Sequence, residues 1–270
     1  MGPSLERFTP ASENDDMRTI SHALIVLFCL LALSAFSCQN TESLKASAST
    51  EAPEVLVVTG GHGFDEKEFP KAFSKCERMK LDIVPHEKFV DMLADGSAAQ
   101  RDAVVLYNFK TKLTETQRAR FIDMLDHETG LIALHHGVSA YPEWTRYPEI
   151  IGCKYFLKPQ GWKGEEHPKS GWKHDVEMKV HIAAEGHPVT AGLKDFTLND
   201  ETYCRQWFDP QATVLLTTEE ETSDRVLAHV TEYDDSPVAY IQLGHGAHAF
   251  NNPNYQQLLA RAIRWASIGE

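Results

Sequence analysis

The chain has 270 residues, of which 42% are hydrophobic and 10% aromatic, with 16 glycines and 13 prolines. This composition excludes collagen-like, low-complexity and fully disordered proteins. The net charge of −13 argues against nucleic acid as a partner, because a phosphate backbone is bound by clustered Lys and Arg. The five cysteines form no C-x-x-C motif and are too few for a disulfide scaffold, so cysteine chemistry is not expected.

The N-terminal region has the pattern of an export signal. Residues 22–36 read HALIVLFCLLALSAF, an apolar run shorter than the roughly 20 residues that cross a bilayer as a helix. We therefore predict a signal segment over residues 1–37. The first 16 residues are acidic, whereas a start at Met17 gives the basic beginning Met-Arg-Thr-Ile-Ser, so Met17 is the alternative start.

The end of this run resembles a bacterial lipoprotein cleavage box. Residues 35–38 read Ala-Phe-Ser-Cys, which predicts lipidation of Cys38 and a polar linker over residues 38–53. We expect a bacterial protein that is exported to the periplasm or is a membrane-anchored lipoprotein, with the signal or lipid anchor as its only membrane contact. Plain secretion and an uncleaved anchor are the alternatives.

The first half of the following domain alternates between strand and helix patterns. Buried strands are predicted at residues 54–59, 81–84, 103–107 and 131–134. Helices are predicted at residues 66–80, at residues 88–93 and after a capping box that begins at Thr114. The last helix is expected to bury Ala119, Ile122 and Leu125 and to end at a left-handed Gly130.

This alternation predicts an α/β fold with a mostly parallel sheet and helices on both faces, because crossovers between parallel strands are right-handed. Functional loops then lie at the carboxyl ends of the strands. The periodicity breaks over about residues 141–194, an aromatic-rich insertion expected to rim the site. Strands follow at residues 213–217, 226–230 and 238–242, and a helix at residues 255–266, so one domain over residues 54–268 is expected.

Histidines beside glycines at the predicted strand ends are the most informative residues. His62 lies in GGHG, His135 and His136 lie in LHHG, and His245 and His248 lie in GHGAH. Neutral imidazole is the commonest metal ligand, so one interpretation is a divalent metal site, with Zn or Mn as the candidate ions. None of the spacings is a local metal motif such as H-E-x-x-H, so an ordered cluster of hydrogen-bonded histidines is the alternative. Neighbouring strand residues point to opposite faces, so one of the two adjacent histidines reaches the metal and the other is a candidate acid or base.

A second polar group follows the strand predicted at residues 196–198. Asp200, Glu201 and Tyr203 place two carboxylates and a phenol together in the motif DETY. Glu201 is a candidate metal ligand or base; the structural alternative is that Asp200 caps a turn and Tyr203 packs in the core. The aromatic residues of the insertion, Trp144 among them, are candidates for stacking on a sugar ring, with packing in the core as the commoner alternative.

Two enzyme classes are disfavoured by missing motifs. A nucleophile elbow needs G-x-C-x-G or G-x-S-x-G after a strand, but the turn here is Leu-His-His-Gly at residues 134–137. Glutamine hydrolysis by a cysteine is therefore not expected. The turn GGHGF at residues 60–64 has neither the dinucleotide-binding spacing nor a P-loop lysine, so a nucleotide site is not expected.

Several short motifs occur in an order that resembles the ThuA-like (trehalose utilisation) family. They are VTGGH at 58–62, LHH at 134–136, HPVTAGL at 187–193, DETY at 200–203 and GHG at 244–246. The resemblance spans roughly residues 55–266. It implies a flavodoxin-like fold of the class I glutamine amidotransferase-like type without the catalytic cysteine, and a role in carbohydrate utilisation with 3-keto sugars as the chemical context.

The resemblance also implies a site. Its metal ligands would be His62, His135, Glu201 and His245. We expect His136 to act as the general base beside Glu201, and substrate contacts from Tyr203, His248 and Trp144. A keto group acidifies the neighbouring C–H, so a Lewis acid and one base are enough for glycosidic elimination.

The leading hypothesis is thus an exported, metal-dependent lyase or hydrolase that acts on a small keto-glycoside. The alternative is a non-catalytic glycan-binding lipoprotein that uses the same cleft. The sequence does not determine the oligomeric state.

Overall fold

A computed structural model describes Gly2 and residues 51–268. The strands in chain order are β1 Glu54–Gly60, β2 Lys80–Pro85, β3 Ala103–Asn108, β4 Gly130–Leu134, β5 Cys153–Lys154, β6 Gln160–Trp162, β7 Glu165–His167, β8 Gly171–Ile182, β9 Phe196–Cys204, β10 Trp207–Phe208, β11 Thr213–Thr217, β12 Val226–Tyr233 and β13 Ser236–Ile241. The helices are α1 His86–Asp95, α2 Glu115–Asp126, α3 Tyr147–Ile150, α4 Ala247–Phe250 and α5 Pro253–Ile268.

Nine strands form one sheet in the order β2-β1-β3-β4-β13-β12-β11-β8-β9. The strands from β2 to β13 run parallel, whereas β12, β11, β8 and β9 each pair antiparallel with the preceding strand of that order. The predicted α/β class is therefore confirmed. The sheet is mixed, with a parallel half that carries the predicted strand-end loops.

Each face of the parallel half is covered by helices. In β1, Val55 and Val57 face one core cluster, which α5 completes with Leu258 and Ile263. The alternate residues of β1 face a second cluster, which contains residues of α1 and α2. Every residue from 55 to 58 is fully buried, as the uninterrupted apolar pattern predicts for a strand covered on both faces.

The helix predicted at residues 66–80 is much shorter in the structure. Only Phe69–Phe73 is helical, and it is a 3-10 helix with a proline in its first turn. Phe69, Phe73 and Cys76 are nevertheless all buried. The apolar spacing thus predicts the buried face correctly. An α-helix that began at residue 66 would need the N–H of residue 70, which a proline lacks.

Helix α2 begins as predicted, but its other details differ. Thr114 and Gln117 form the capping box. Ala119 is exposed, and Phe121 is fully buried instead. The left-handed residue after the helix is Glu128, with φ +62°. Gly130 begins β4 instead, where a Cβ would lie 2.1 Å from the carbonyl oxygen of Ala266.

The predicted insertion contributes more to the sheet than expected. It contains the small β6–β7 pair and strand β5, which pairs with β10. It also contains β8, a 12-residue strand of the main sheet. The DETY motif lies inside β9 rather than after it. Strand β8 pairs with β11 through only two residue pairs, so most of the β8–β9 hairpin extends beyond this contact.

Residues from Ala52 onward form one compact unit. Apart from Gly2, the predicted signal segment, Cys38 and the linker up to residue 50 lie outside the described residues. Within the described part of the chain, no helix is long and apolar enough to cross a membrane.

Candidate metal centre

The carboxyl ends of the parallel strands meet at one pocket, of about 830 Å³ with the space at its open mouth included. His62 follows β1, His135 follows β4 and His245 follows β13. The β8–β9 hairpin reaches across these ends and contributes Glu201 and Tyr203. The parallel topology brings the histidines together, and the hairpin supplies the carboxylate.

His135 occupies the sharp turn between β4 and a 3-10 helix, His135–Ser139. Its φ of +51° lies in the left-handed region, which is costly for a residue with a Cβ. Gly137 is needed in the same turn, because a Cβ there would lie 2.2 Å from the carbonyl oxygen of Leu106. In α/β-hydrolases a nucleophile stands on a sharp turn between a strand and a helix; here the turn presents an imidazole.

Three side chains converge in the pocket. The ligand atoms of His135, Glu201 and His245 all lie within 4.8 Å of one another. Oε2 of Glu201 is 2.6 Å from Nδ1 of His245 and 3.5 Å from Nε2 of His135. Nε2 of His135 is also 3.2 Å from Nδ1 of His245.

The tautomer of His135 is fixed by its surroundings. Its Nδ1 lies 2.7 Å from the backbone carbonyl oxygen of Gln242. Since a carbonyl only accepts, Nδ1–H donates, and Nε2 presents a lone pair to the other two ligands. A hydrogen bond of this kind on the far side of the ring is usual for metal-binding histidines.

Charge interactions tie Glu201 to its histidines. Burial raises the pKa of Glu201, but interactions with the adjacent His135 and His245 side chains outweigh burial and hold the pKa well below its usual range. The hydrogen bond to Glu201 in turn raises the pKa of His245. Glu201 is therefore an ionised carboxylate near neutral pH, as a metal ligand must be.

The backbone that carries His245 is held by Asp200. The buried Asp200 carboxylate accepts hydrogen bonds from Gly244 N at 2.7 Å and His245 N at 2.9 Å. Tyr107 donates its hydroxyl proton to the carbonyl of Gly244 at 2.9 Å. Asp200 and Glu201 leave β9 on opposite faces. Asp200 therefore holds the loop that carries His245, while Glu201 points into the pocket as a candidate ligand.

Sequence reasoning missed His174 of β8. Its Nδ1 lies 3.5 Å from Oε2 of Glu201, and its ring centroid is 4.6 Å from that of His245. The β8–β9 register shifts between Lys173 and Val176, where Asp175 has φ +54°. Because this bulge decides where His174 faces, neither spacing nor a local motif could have indicated its position.

His62 and His136 lie together on another wall of the pocket. Their rings stack at 4.9 Å, and His62 is not part of the converging group of three. His136 donates from Nε2 to the carbonyl of Tyr107 at 3.0 Å. Burial, with the nearby His135 as a further cause, lowers the pKa of His136 to about 2, which makes it a weak proton acceptor at neutral pH.

The three predicted substrate contacts have different positions. Tyr203 lines the pocket, and its hydroxyl oxygen lies 2.9 Å from Nε2 of His135. His248 is exposed in α4 and is not among the residues that line this pocket. Trp144 is buried against Phe121, with ring centroids 5.4 Å apart; its apolar ring completes the second core cluster, so its position is one of packing.

The residues present fit a divalent metal. Two imidazole nitrogens and one carboxylate oxygen are a ligand set of catalytic zinc sites, which leaves a position for water or substrate. The lone pair of His135, its hydrogen bond to Gln242 and the ionised state of Glu201 all suit this role.

Solved structures with the same fold support this description of the architecture. A putative ThuA-like protein from Parabacteroides merdae superimposes with a TM-score of 0.68 at 20% identity, over 82% of this chain and 91% of that one. PurLQS from Thermotoga maritima gives 0.51 at 10% identity, over 79% and 99%. A β-galactosidase from Rahnella sp. R3 gives 0.50 at 11%, over 79% of this chain and 31% of that one.

The fold is thus that of class I glutamine amidotransferase-like proteins. More narrowly, the family described as ThuA, trehalose utilisation, matches residues 54–266, and the chain belongs to this family. No curated protein matches the sequence. The resemblance read from the short motifs is confirmed.

Proposed function

We propose that the protein is a metal-dependent enzyme that processes a small keto-glycoside. The observation that carries the proposal is the convergence of His135, Glu201 and His245 on one point of a pocket. The family supports carbohydrate as the substrate class. When bound by these three residues, a divalent ion would act as a Lewis acid on a carbonyl or hydroxyl oxygen of the sugar.

The side chains around the pocket suit proton transfer beside a keto group. We assign the base to His62, whose Nδ1 lies 2.7 Å from the carbonyl of Gly63; Nδ1–H donates, so Nε2 is the free acceptor. His136 is the candidate base from sequence, but burial lowers its pKa to about 2, so it stays neutral and is a weak base at neutral pH. His62 is exposed and can pass a proton to water.

The proposed reaction is an elimination. The base removes a proton from the carbon beside the keto group, and the electron pair forms a C=C bond while the glycosidic C–O bond breaks. The departing oxygen takes up a proton, which gives an alcohol and an unsaturated keto sugar. No covalent nucleophile is needed.

An exposed aromatic ring supports sugar binding at the same pocket. Trp172 lines it with 58% of its surface exposed, and its ring centroid lies 4.6 Å from that of His174. Rings in this setting stack on sugars. This feature also favours the second candidate function, a glycan-binding protein without catalysis.

The two functions are separated by one experiment on protein that lacks residues 1–37 and carries Cys38→Ser. Metal content is measured by elemental analysis, and 3-keto-glycosides are then assayed with and without a chelator. One bound ion and chelator-sensitive release of the alcohol are expected. Sugar binding that survives chelation, without turnover, would instead establish the binding protein.

A further inference from the structure

A second space adjoins the metal pocket and is rich in lysine. We call it the lysine groove; it measures about 1290 Å³ with its open mouth included. Its basic residues are Lys110, Lys112, Lys154 and Lys158. The two spaces share Lys110, Val138, Ser139, Tyr155 and Leu157 as lining residues. A substrate in the metal pocket can therefore extend into the groove.

The charge of the groove is opposite to that of the protein. The chain carries a net charge of −13, yet Glu143 is the one carboxylate among the described residues that line the groove. Glu143 is paired with Lys112 at 2.8 Å. The ammonium of Lys110 lies 4.7 Å from the ring centroid of Phe109. Within residues 51–268, no carboxylate forms an ion pair with this ammonium.

Lys154 makes the groove more than a patch of surface lysines. It is only 8% exposed, and neither a carboxylate nor a hydrogen-bond acceptor contacts its ammonium among the described residues. Its Nζ lies 4.4 Å from the ring centroid of Trp162 and 5.8 Å from that of Phe156. Such contacts offset only part of the cost of removing a cation from water, so an anion in the groove would be a favourable partner for this ammonium.

We propose that the lysine groove binds an anionic group of the substrate, with Lys154 as its buried contact. The chemistry is an oxyanion carried on a sugar, either the carboxylate of a uronic acid or a phosphate ester. A charge-assisted hydrogen bond from an ammonium to either group is among the stronger polar contacts. This inference deepens the proposed function and rests on it, because it treats the groove as an extension of the sugar pocket.

The test measures binding by calorimetry in the presence of a chelator, so that it is independent of the metal. The probes are glucuronate, glucose 6-phosphate and neutral methyl glucoside. We expect at least one charged probe to bind about tenfold or more tighter than methyl glucoside, the effect of one charge-assisted hydrogen bond. The preference should weaken as salt rises from about 0.01 to 0.15 M, and the better charged probe identifies the source of the oxyanion.

Lys154→Met removes the charge and keeps a flexible side chain of similar length. The preference for the charged probe should fall about tenfold, with methyl glucoside binding unchanged. Lys163→Met is the matched control, because Lys163 lies 5.5 Å from the same Trp162 ring but outside the residues that line the groove. Should Lys154→Met fail to fold, the exposed Lys158→Met variant is used, with a loss of about threefold expected.

Equal affinity for charged and neutral probes, no binding of either charged probe, or a preference that persists in the lysine variants would overturn the subsite. Loss of metal binding with the anion preference intact would overturn the proposed function alone. Metal-dependent turnover without an anion preference would overturn the subsite alone.

Discussion

Asp200 fixes His245 through the backbone. Its carboxylate accepts the N–H of His245 at 2.9 Å and that of the preceding Gly244 at 2.7 Å. The interaction joins the β8–β9 hairpin to the loop after β13. Through this interaction Asp200 positions the ligand atom of His245, although Asp200 itself does not contact the ligand atoms.

Asp200→Asn tests this connection. An amide has one oxygen to accept hydrogen bonds, so one buried N–H loses its acceptor, and we expect the free energy of unfolding to fall by about 1–3 kcal/mol. Metal affinity should fall as well, because the His245 backbone is less well held. Chemical denaturation and metal titration measure the two effects.

Asp195→Asn is the control, since Asp195 accepts Ile182 N at 3.0 Å in an exposed setting. It should change stability by less than about 1 kcal/mol and leave metal affinity unchanged. Equal effects of the two variants would contradict a specific role of Asp200.

His135 and His62 are predicted to differ in their effect on the metal. His135→Ala should lose the bound ion, because it removes one of three converging ligands. His62→Ala should keep the ion and lose turnover of a keto-glycoside, because His62 lies outside the converging group. Elemental analysis beside an activity assay distinguishes them, and His248→Ala, at an exposed position away from the pocket lining, should retain both. Loss of metal in His62→Ala would show that His62 is a fourth ligand.

His229 should make stability depend on pH. It is buried, donates from Nε2 to the carbonyl of Ile151 at 2.9 Å, and burial lowers its pKa from 6.5 to about 4. The unfolded chain therefore binds more protons than the folded chain between these values, and the free energy of unfolding falls as pH drops from 6.5 to 4.

Replacing His229 with Gln removes this titration while the amide can still donate a hydrogen bond. Urea denaturation across the window should show a shallower decline for His229→Gln, by up to one proton in the slope. Above pH 7 the difference between the two proteins should not vary with pH. Parallel curves throughout would show that His229 does not carry the effect.

Gly130→Ala should destabilise the protein by about 1–3 kcal/mol. The added Cβ would lie 2.1 Å from the carbonyl oxygen of Ala266, so β4 and α5 must separate. At Gly186 no atom lies within 4 Å of an added Cβ, so Gly186→Ala is the matched control and should have little effect. Thermal unfolding of the two variants makes the comparison, and similar melting temperatures would refute the close contact.

The family, the α/β class and the parallel strands could be predicted from sequence because they depend on local patterns. The capping box at Thr114 is one example, because its hydrogen bonds join residues three apart in the chain. The apolar run of β1 is another, because a strand that is buried on both faces is apolar throughout. The segment around Pro70 shows the limit: the apolar spacing indicated the buried face, but not the length or the type of the helix.

The make-up of the site was decided by tertiary structure. Glycine-flanked histidines at strand ends indicated His135 and His245, yet the fold of the β8–β9 hairpin determines that Glu201 and His174 meet them. A bulge in the β8–β9 pair and two hydrogen bonds from backbone N–H groups to the Asp200 carboxylate set that geometry. Trp144 and Lys154 illustrate the same limit. The sequence shows which side chains are available, but long-range packing buries Trp144 in the core and places Lys154 in the lining of a pocket.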